Sequence, residues 1–535
     1  MTTRTRTSEY VEEVKQRFLA ATGLTDVRVF EEPAGLESFL RIEVGRDAPF
    51  YRTVLGRIDD ELAPDNPFYG ALTLQVNKPS NVITSLEVEL LRSLIARSLR
   101  ITTKAAQEGL FVDFAPFRGG EEKTVSQPAN NAILGRRGVG KSSLILTGYR
   151  RILTNGHLPI WIDLQPYRGR NDPMALLGIL CEFLEELSTR LHEVASDSNT
   201  NEVDAALQKL ENLSDEVSLD EVQRLAPSIR GHLRKVTRNT HKDIFLFVDD
   251  AHVVHPELQP YVFDFLHGVL KGVGGWLKVA GVRNLLRLYE PASKLGLQVP
   301  NDVQTVSLDL TLVDPGAARD QLANILKQFL YLCGFTAINV LIPSAAINRL
   351  VWCSAGVPRD FLWLFDRSIA FAIQHRKKKV GVQEVNSAVG EFGQQKMEEL
   401  EQDASNQGEA LRDALERVKN VVLDDQRTNS FLVMQDTKHP GYIALQKLVD
   451  LRLVHLIHPS ITPSRAGKRY EAYLLDYSFY TGLRRRHNMR ELKINVNEPP
   501  KYDELRNLPK LDLSVISPSS VSNIEVESDN TGMVG

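Results

Sequence analysis

Residues 131–143 read NAILGRRGVGKSS. A short apolar run breaks into three glycines and ends on Lys-Ser-Ser, and the reading of that change decides the fold class. Gly135-Arg136-Arg137-Gly138-Val139-Gly140-Lys141-Ser142 has the spacing G-x-x-x-x-G-K-S. The apolar run before it predicts a strand and SSLILTGYRRIL after it predicts a helix, the setting in which such a loop cradles phosphates. Glycines let backbone N–H groups converge on phosphate oxygens, with a helix N-terminus behind them. Gly135 to Ser143 are therefore candidate nucleotide-binding residues. Lys141 is expected to reach the β- and γ-phosphates, and the Ser142 hydroxyl to take a place on Mg²⁺, so ATP and Mg²⁺ are the expected cofactors.

Outward from the loop, LPIWIDL, DIFLFVDD, WLKVAGV and VQTVSLDL are further strand candidates separated by helical patterns, as a parallel sheet requires. DIFLFVDD ends on Asp249-Asp250, and two adjacent carboxylates at a buried strand end are costly unless a cation satisfies them. Asp249 is the candidate metal-side ligand and Asp250 the candidate for polarising the attacking water. His252 and His255 have H-x-x-H spacing but no third ligand nearby, so they are read as polar loop residues rather than a zinc site. Arg283 closes the run WLKVAGVR, where an arginine can stabilise γ-phosphate charge. In CSAGVPRDFLWLF, Pro358 and Arg359 open a helix; proline suits a first helical turn, and the arginine can point back to the nucleotide.

With these elements in this order, residues 110–395 resemble the AAA+ ATPases, particularly the origin-recognition and replication-initiator type, and the related STAND signal-transduction ATPases. The resemblance makes Gly135–Ser142 Walker A, Asp249-Asp250 Walker B, Arg283 the sensor-1 arginine and Gly356–Arg359 the G-x-P or sensor-2 element of a helical lid. It implies a three-layer α/β core whose phosphate-loop strand is central and flanked by the sensor-1 strand. FAPFRGGEEKT stands at the pre-Walker position but departs from the usual G-R-E. Walker B is Asp-Asp where motors of the family carry Asp-Glu. Aspartate is one methylene shorter, which implies slow turnover and a long-lived ATP state. Arg287 is the candidate for an arginine acting on a neighbouring subunit.

The rest of the 535 residues divides by composition. Residues 1–105 alternate helical and strand patterns as a small α+β domain with no nameable chemistry. The core spans 106–315, with a polar helical insertion near 190–240 whose ASDSNTNEVD predicts a turn. Residues 316–395 read as an all-helical lid, 396–427 as a charged connector helix, 428–490 as a winged helix-turn-helix ending in a hairpin, and 491–535 as a disordered tail. Cys181, Cys333 and Cys353 are isolated and odd in number, which argues against a disulfide framework. No apolar run is long enough for a membrane span and the start lacks a secretory signal, so a cytoplasmic protein is expected.

In the winged module, Leu445, Leu448 and Val449 are expected to face the core, with Gln446, Lys447 and Asp450 outward. Net charge is −4, so DNA attraction must be local. Arg465, Lys468, Arg469, Arg484, Arg485, Arg486, Arg490 and Lys493 supply a basic surface, and Lys447, Arg465, Lys468, Arg469, Arg484, Arg485 and Arg486 are the candidate contacts to double-stranded DNA. Winged helices in switch ATPases also bind protein. Two functions follow: a DNA-associated ATPase, or a signalling switch whose ATP state gates assembly with a protein partner. A homo-oligomer in the ATP state is expected for either.

Overall fold

The computed structural model describes residues 3–34, 37–99, 119–194, 200–212, 218–403, 408–463, 468–481, 488–492, 496 and 500–517. The chain forms two compact units, one of residues 1–310 with 314–388, the other of 311–313 with 389–535.

In the first unit, strands β1 (Arg28–Ala34), β2 (Glu37–Val44) and β3 (Leu72–Val76) make a small sheet in which β1 runs antiparallel to β2 and β2 parallel to β3. Helices Pro49–Glu61 and Leu86–Ser98 flank it. Phe18 and Tyr51 pack 5.5 Å apart in its core. Arg92 on the second of these helices donates from Nε to Asp366 Oδ1 (2.7 Å) on helix Pro358–Gln374. The amino-terminal α+β module is thereby pinned to the helical segment after the sheet, and belongs to the same compact unit as that segment.

The main sheet contains β4 (Asn131–Leu134), β5 (Leu158–Asp163), β6 (Ile244–Asp249), β7 (Gly275–Gly281) and β10 (Gln304–Ser307), in the order β10-β4-β7-β6-β5, all parallel. The short pair β8 (Tyr289–Glu290) and β9 (Leu295–Gly296) stands apart from it. The phosphate-loop strand β4 is flanked by β7, as the resemblance implied, but it is not central: the middle place belongs to β7, and the acidic strand β6 lies one strand further on. Each strand's run of apolar residues serves both faces, because successive side chains alternate. Ile160, Ile162, Leu246 and Val248 join one cluster, Trp161, Phe245 and Phe247 the other. Helix Lys141–Thr154 covers the second face with Leu144, Ile145 and Ile152. Complete burial of such side chains contributes about 1.5–3 kcal/mol each.

The insertion after β5 is less peripheral than its polarity suggested. Val203, Ala206, Leu210, Ile229, Leu233 and Val236 on helices Thr200–Glu211 and Ala226–Thr240 enter the first cluster, so the insertion builds an outer layer of the core. Half of the expected turn ASDSNTNEVD, residues 195–199, lies outside the described residues, and the other half corrects the expectation, since residues 200–204 open helix Thr200–Glu211. Helices Pro315–Leu332, Ser344–Cys353 and Pro358–Gln374 form the all-helical segment, whose first helix is capped by Asp314, its side chain accepting from Ala317 N at 2.9 Å.

In the second unit the connector is two helices, Val382–Asp403, which enters from the first unit, and Gly408–Lys419, closed by a π-type turn at Asn420–Asp425. Strands β11 (Ser430–Met434), β12 (Val454–Ile461) and β13 (Tyr470–Leu475) make an antiparallel sheet with the expected β12–β13 hairpin. Helix Pro440–Asp450 lies between β11 and β12 and buries Leu445 and Leu448. Residues 502–516 correct the expectation of a disordered tail. Strand β14 (Lys510–Leu511) pairs with β11, and Leu513 and Ile516 bury in the module's core. Three well-placed apolar residues outweigh the polar average of the segment. Among the described residues no helix is long and apolar enough to cross a membrane.

Candidate functional site

The loop after β4 has the shape its sequence demands. Gly138 and Gly140 have φ values of 76° and 102°, a left-handed backbone that other residues adopt only with strain. A Cβ on Gly135 would lie 2.7 Å from Val139 Cγ2, so only glycine lets the loop fold on itself. Helix Lys141–Thr154 starts directly behind, its first-turn N–H groups facing the cradle.

Lys141 is buried, and Nζ donates to the carbonyls of Gly135 (3.0 Å) and Arg136 (3.1 Å). Burial lowers its pKa, Asp249, Asp250 and Asp309 oppose that, and Arg359 adds to it. The lysine thus sits where acids from two strand ends and a second cation converge. The Ser142 hydroxyl stands close enough to the Asp249 carboxylate to favour its charged form. Asp249 is pushed up to about 7 by burial and then by Asp250, while Ser142, the Asp250 N–H (2.9 Å) and Lys141 hold it back. A buried carboxylate resisted by its neighbour is a ready ligand for a divalent cation, which favours the charged form. Among the described residues no group of three or more His, Cys, Asp or Glu could hold a metal. A cation here would therefore take Ser142 and Asp249 from the protein and fill its remaining positions from nucleotide and water, as Mg²⁺ does with phosphates. The left-handed glycines, the buried lysine and the Ser142–Asp249 pair fit ATP with Mg²⁺.

Asp250 has φ 48° and ψ 33°, a left-handed conformation that aspartate tolerates better than longer acids. This gives a physical reason for Asp-Asp. Gln165 Nε2 donates to Asp250 Oδ2 (2.7 Å), and Arg168 Nη2 donates to Gln165 Oε1 (2.9 Å). The Asp250 side chain is one-third exposed, open to water. His252 is buried beneath it rather than on a polar loop surface, with Nδ1 3.9 Å from Asp250 Oδ1. Burial drives its pKa down to about 3, so the ring is neutral.

The arginines take different places. Arg136 turns inward: Nη2 donates to Leu310 O and Ala355 O, and its backbone N–H donates to Asp309 Oδ1 (2.8 Å), so its side chain braces the loop. Arg137 lies near enough to His252 to influence it. Arg359 is exposed on the first turn after Pro358, and its N–H donates to Gly138 O (3.1 Å), which ties the helical segment to the loop. Arg283 is exposed and donates from Nη2 to Ser307 Oγ (3.0 Å) at the end of β10. Arg287 is paired with Glu290 on its own segment.

Asp163, Gln165 and Asp309 were missed from the sequence. Asp163 stands opposite Asp249 in the β5–β6 register, its own pKa raised by burial and by Asp250, and it accepts the Gln165 N–H (3.0 Å). The overlooked signal was an apolar run ending in aspartate, which recurs in IWID and VSLD as in FLFVD.

In the second unit, Lys468 and Arg469 are exposed at the start of β13. Arg465, Arg484, Arg485, Arg486 and Lys493 lie outside the described residues. Helix Pro440–Asp450 corrects part of its expected outer face. Asp450 is buried and Lys447 is half-buried, with its pKa lowered by that burial. Gln446 donates to the Tyr473 hydroxyl (2.8 Å). Lys396 is buried, with Nζ donating to Asp476, which His455 also contacts (2.8 Å).

No family model and no curated protein matches the chain. Among solved structures, it is similar to a Walker-type ATPase of Pyrococcus abyssi (14% identity, TM-score 0.42, 70% of this chain and 96% of that one). It is also similar to the Aeropyrum pernix ORC1 protein in complex with DNA (14%, 0.37, 71% and 92%). A third is Drosophila ORC bound to DNA (14%, 0.36, 80% and 97%). The P-loop α/β fold rests on the strand order and loop geometry above.

Proposed function

We propose that the chain binds ATP with Mg²⁺ at Gly135–Ser143 and hydrolyses it slowly, as an AAA+ or STAND-like switch. The process is DNA-associated, of the replication-initiator, transposition or genome-defence kind. The observation that carries the nucleotide reading is the buried Lys141, whose Nζ is held by the loop carbonyls of Gly135 and Arg136 while the charges of Asp249 and Asp250 act on it, so that the phosphate loop and the acidic strand meet at one point across the intervening β7. When bound, Mg²⁺ supplies positive charge to the phosphate oxygens. Lys141 leaves its two carbonyl partners for the β- and γ-phosphates. Asp250, oriented by Gln165, holds or deprotonates the attacking water. Arg359, tied to Gly138, and Arg283, released from Ser307, are the proposed cations for γ-phosphate charge, and Pro358 fixes the turn that presents Arg359.

Exposed Lys468 and Arg469 support duplex DNA as partner. The second reading, a signalling ATPase that controls a protein partner without touching DNA, is favoured by the half-buried Lys447, the one lysine or arginine of helix Pro440–Asp450, whose ammonium is thereby less available to phosphates. The deciding experiment measures mass and duplex-DNA binding at low and moderate salt, with and without ATP–Mg²⁺. ATP-dependent assembly with salt-sensitive DNA binding supports the first reading. Assembly without DNA binding supports the second, and no ATP binding removes both.

A further inference from the structure

Helix Ala226–Thr240 carries the insertion back to the start of β6, and from Ala226 to Lys242 the chain has Arg230, Arg234, Lys235, Arg238 and Lys242 but no aspartate or glutamate. In a sequence with 68 acidic residues against 64 lysines and arginines, that stretch is a local exception. Ile229, Leu233 and Val236 turn into the core, which leaves the outer side of the helix to the cations. Arg230, Arg234 and Arg238 follow at steps of four residues, a stripe that advances about 6 Å per step along one face.

Like charges at this spacing weaken a helix unless something opposes them. The helix dipole accounts for Arg238, in the last turn, but not for Arg230 or Arg234. Carboxylates of the neighbouring elements are engaged elsewhere. Glu202 takes His232 (2.8 Å) and Lys235 (3.1 Å), Asp302 takes Lys271 (3.4 Å), Asp243 accepts from Trp276 Nε1 (3.4 Å), and Glu221 closes the cap of its own helix with Ser218. Arg230 is half-buried beside Gly272, its Nε without a partner. Arg234 and Arg238 are exposed and, among the described residues, their side chains bond nothing.

The make-up of the face selects among polyanions. A helix that lies on a membrane sets large apolar residues beside its cations, and single-stranded nucleic acid is held on aromatic side chains where its bases stack. This helix has no Phe, Tyr or Trp, and its Ile, Leu and Val residues are buried. A row of guanidinium groups on a rigid helix, each able to grip a phosphate through two N–H groups, suits a stiff backbone of regularly spaced phosphates.

We propose that the outer face of helix Ala226–Thr240 docks the phosphate backbone of duplex DNA through Arg234 and Arg238, a surface of the first unit additional to the basic residues of the second. This rests on the DNA-associated reading above and not on ATP hydrolysis.

The test follows binding of the full chain to a fluorescent duplex of mixed sequence by anisotropy, between roughly 50 and 200 mM salt. The parent is compared with an Arg234→Ala/Arg238→Ala variant and an Arg234→Lys/Arg238→Lys variant. The alanine variant should bind about tenfold or more weakly at low salt, with the slope of log affinity against log salt reduced by up to about two, and the lysine variant should keep the parent's slope. Thermal unfolding and ATP affinity should match the parent in both, since neither side chain bonds anything in the fold or belongs to the phosphate loop. A parent that binds no duplex at low salt, or an alanine variant with the parent's slope, would overturn the assignment and leave the nucleotide reading standing, because ATP affinity is measured separately. Tighter binding of a single strand of the same length, or of polyglutamate, lost in the same alanine variant, would overturn it in favour of another polyanion.

Discussion

Replacing Asp250 by asparagine separates holding ATP from spending it. Asparagine accepts the left-handed φ of 48° as readily as aspartate and keeps an oxygen for Gln165 Nε2, 2.7 Å away, so the fold should be unaffected. What disappears is the charge that orients or deprotonates water. Loss of a positioned general base costs about 10²–10⁴ in rate, or about 2.7–5.4 kcal/mol at 1.36 kcal/mol per decade. ATP affinity should hold, because Ser142, Asp249 and Lys141 remain. Asp250→Glu moves the acid one methylene further out, and turnover should be kept or raised; the left-handed backbone then carries a strain of about 1 kcal/mol, visible as a lower unfolding temperature. The assay is single-turnover hydrolysis of the three proteins at saturating ATP–Mg²⁺, with nucleotide affinity and thermal unfolding measured alongside. If the Asp250→Asn protein hydrolyses as fast as the parent, Asp250 is not the water-activating group. If it loses ATP affinity together with hydrolysis, Asp250 is a holding group and the division of labour between the two acids is wrong.

Lys141→Ala should abolish tight ATP binding while the chain stays folded, since it frees only the carbonyls of Gly135 and Arg136; a fluorescent-nucleotide titration checks this, and undiminished affinity rejects the site. Asp476→Asn should destabilise the second unit by about 3–5 kcal/mol in a denaturant titration, because Lys396 is left buried without its counter-charge. Although burial works to raise the Asp476 pKa, Lys396 and His455 hold it well below the ordinary carboxylate value. Its contribution to stability is therefore present above pH about 3.9 and is lost as pH falls further, and the Asn variant should lack that acid-side slope. Replacing Arg484, Arg485 and Arg486 together by alanine should flatten the dependence of log affinity for duplex DNA on log salt by up to about three, with sequence preference unchanged; an unaltered slope moves the basic cluster off the DNA.

The phosphate loop, the acidic strand end and the parallel sheet were legible in the sequence because each is specified locally. Gly138 and Gly140 are required where the backbone turns left-handed, Lys141 and Ser142 follow at fixed spacing, and strands buried on both faces must be apolar throughout. What the tertiary structure alone decided is which strand ends and helix starts become neighbours. The crossovers put β7 between β4 and β6, brought Gln165 to Asp250 from 85 positions away in sequence, and turned Arg136 toward Leu310 O and Ala355 O instead of the nucleotide. They also buried Lys396 against Asp476 inside a helix that reads as charged, and paired β14 with β11 inside a segment that reads as polar. A side chain's partner is set by strand order and register, which depend on the packing of the whole core, whereas the left-handed turn and the glycine that permits it occupy the same few residues.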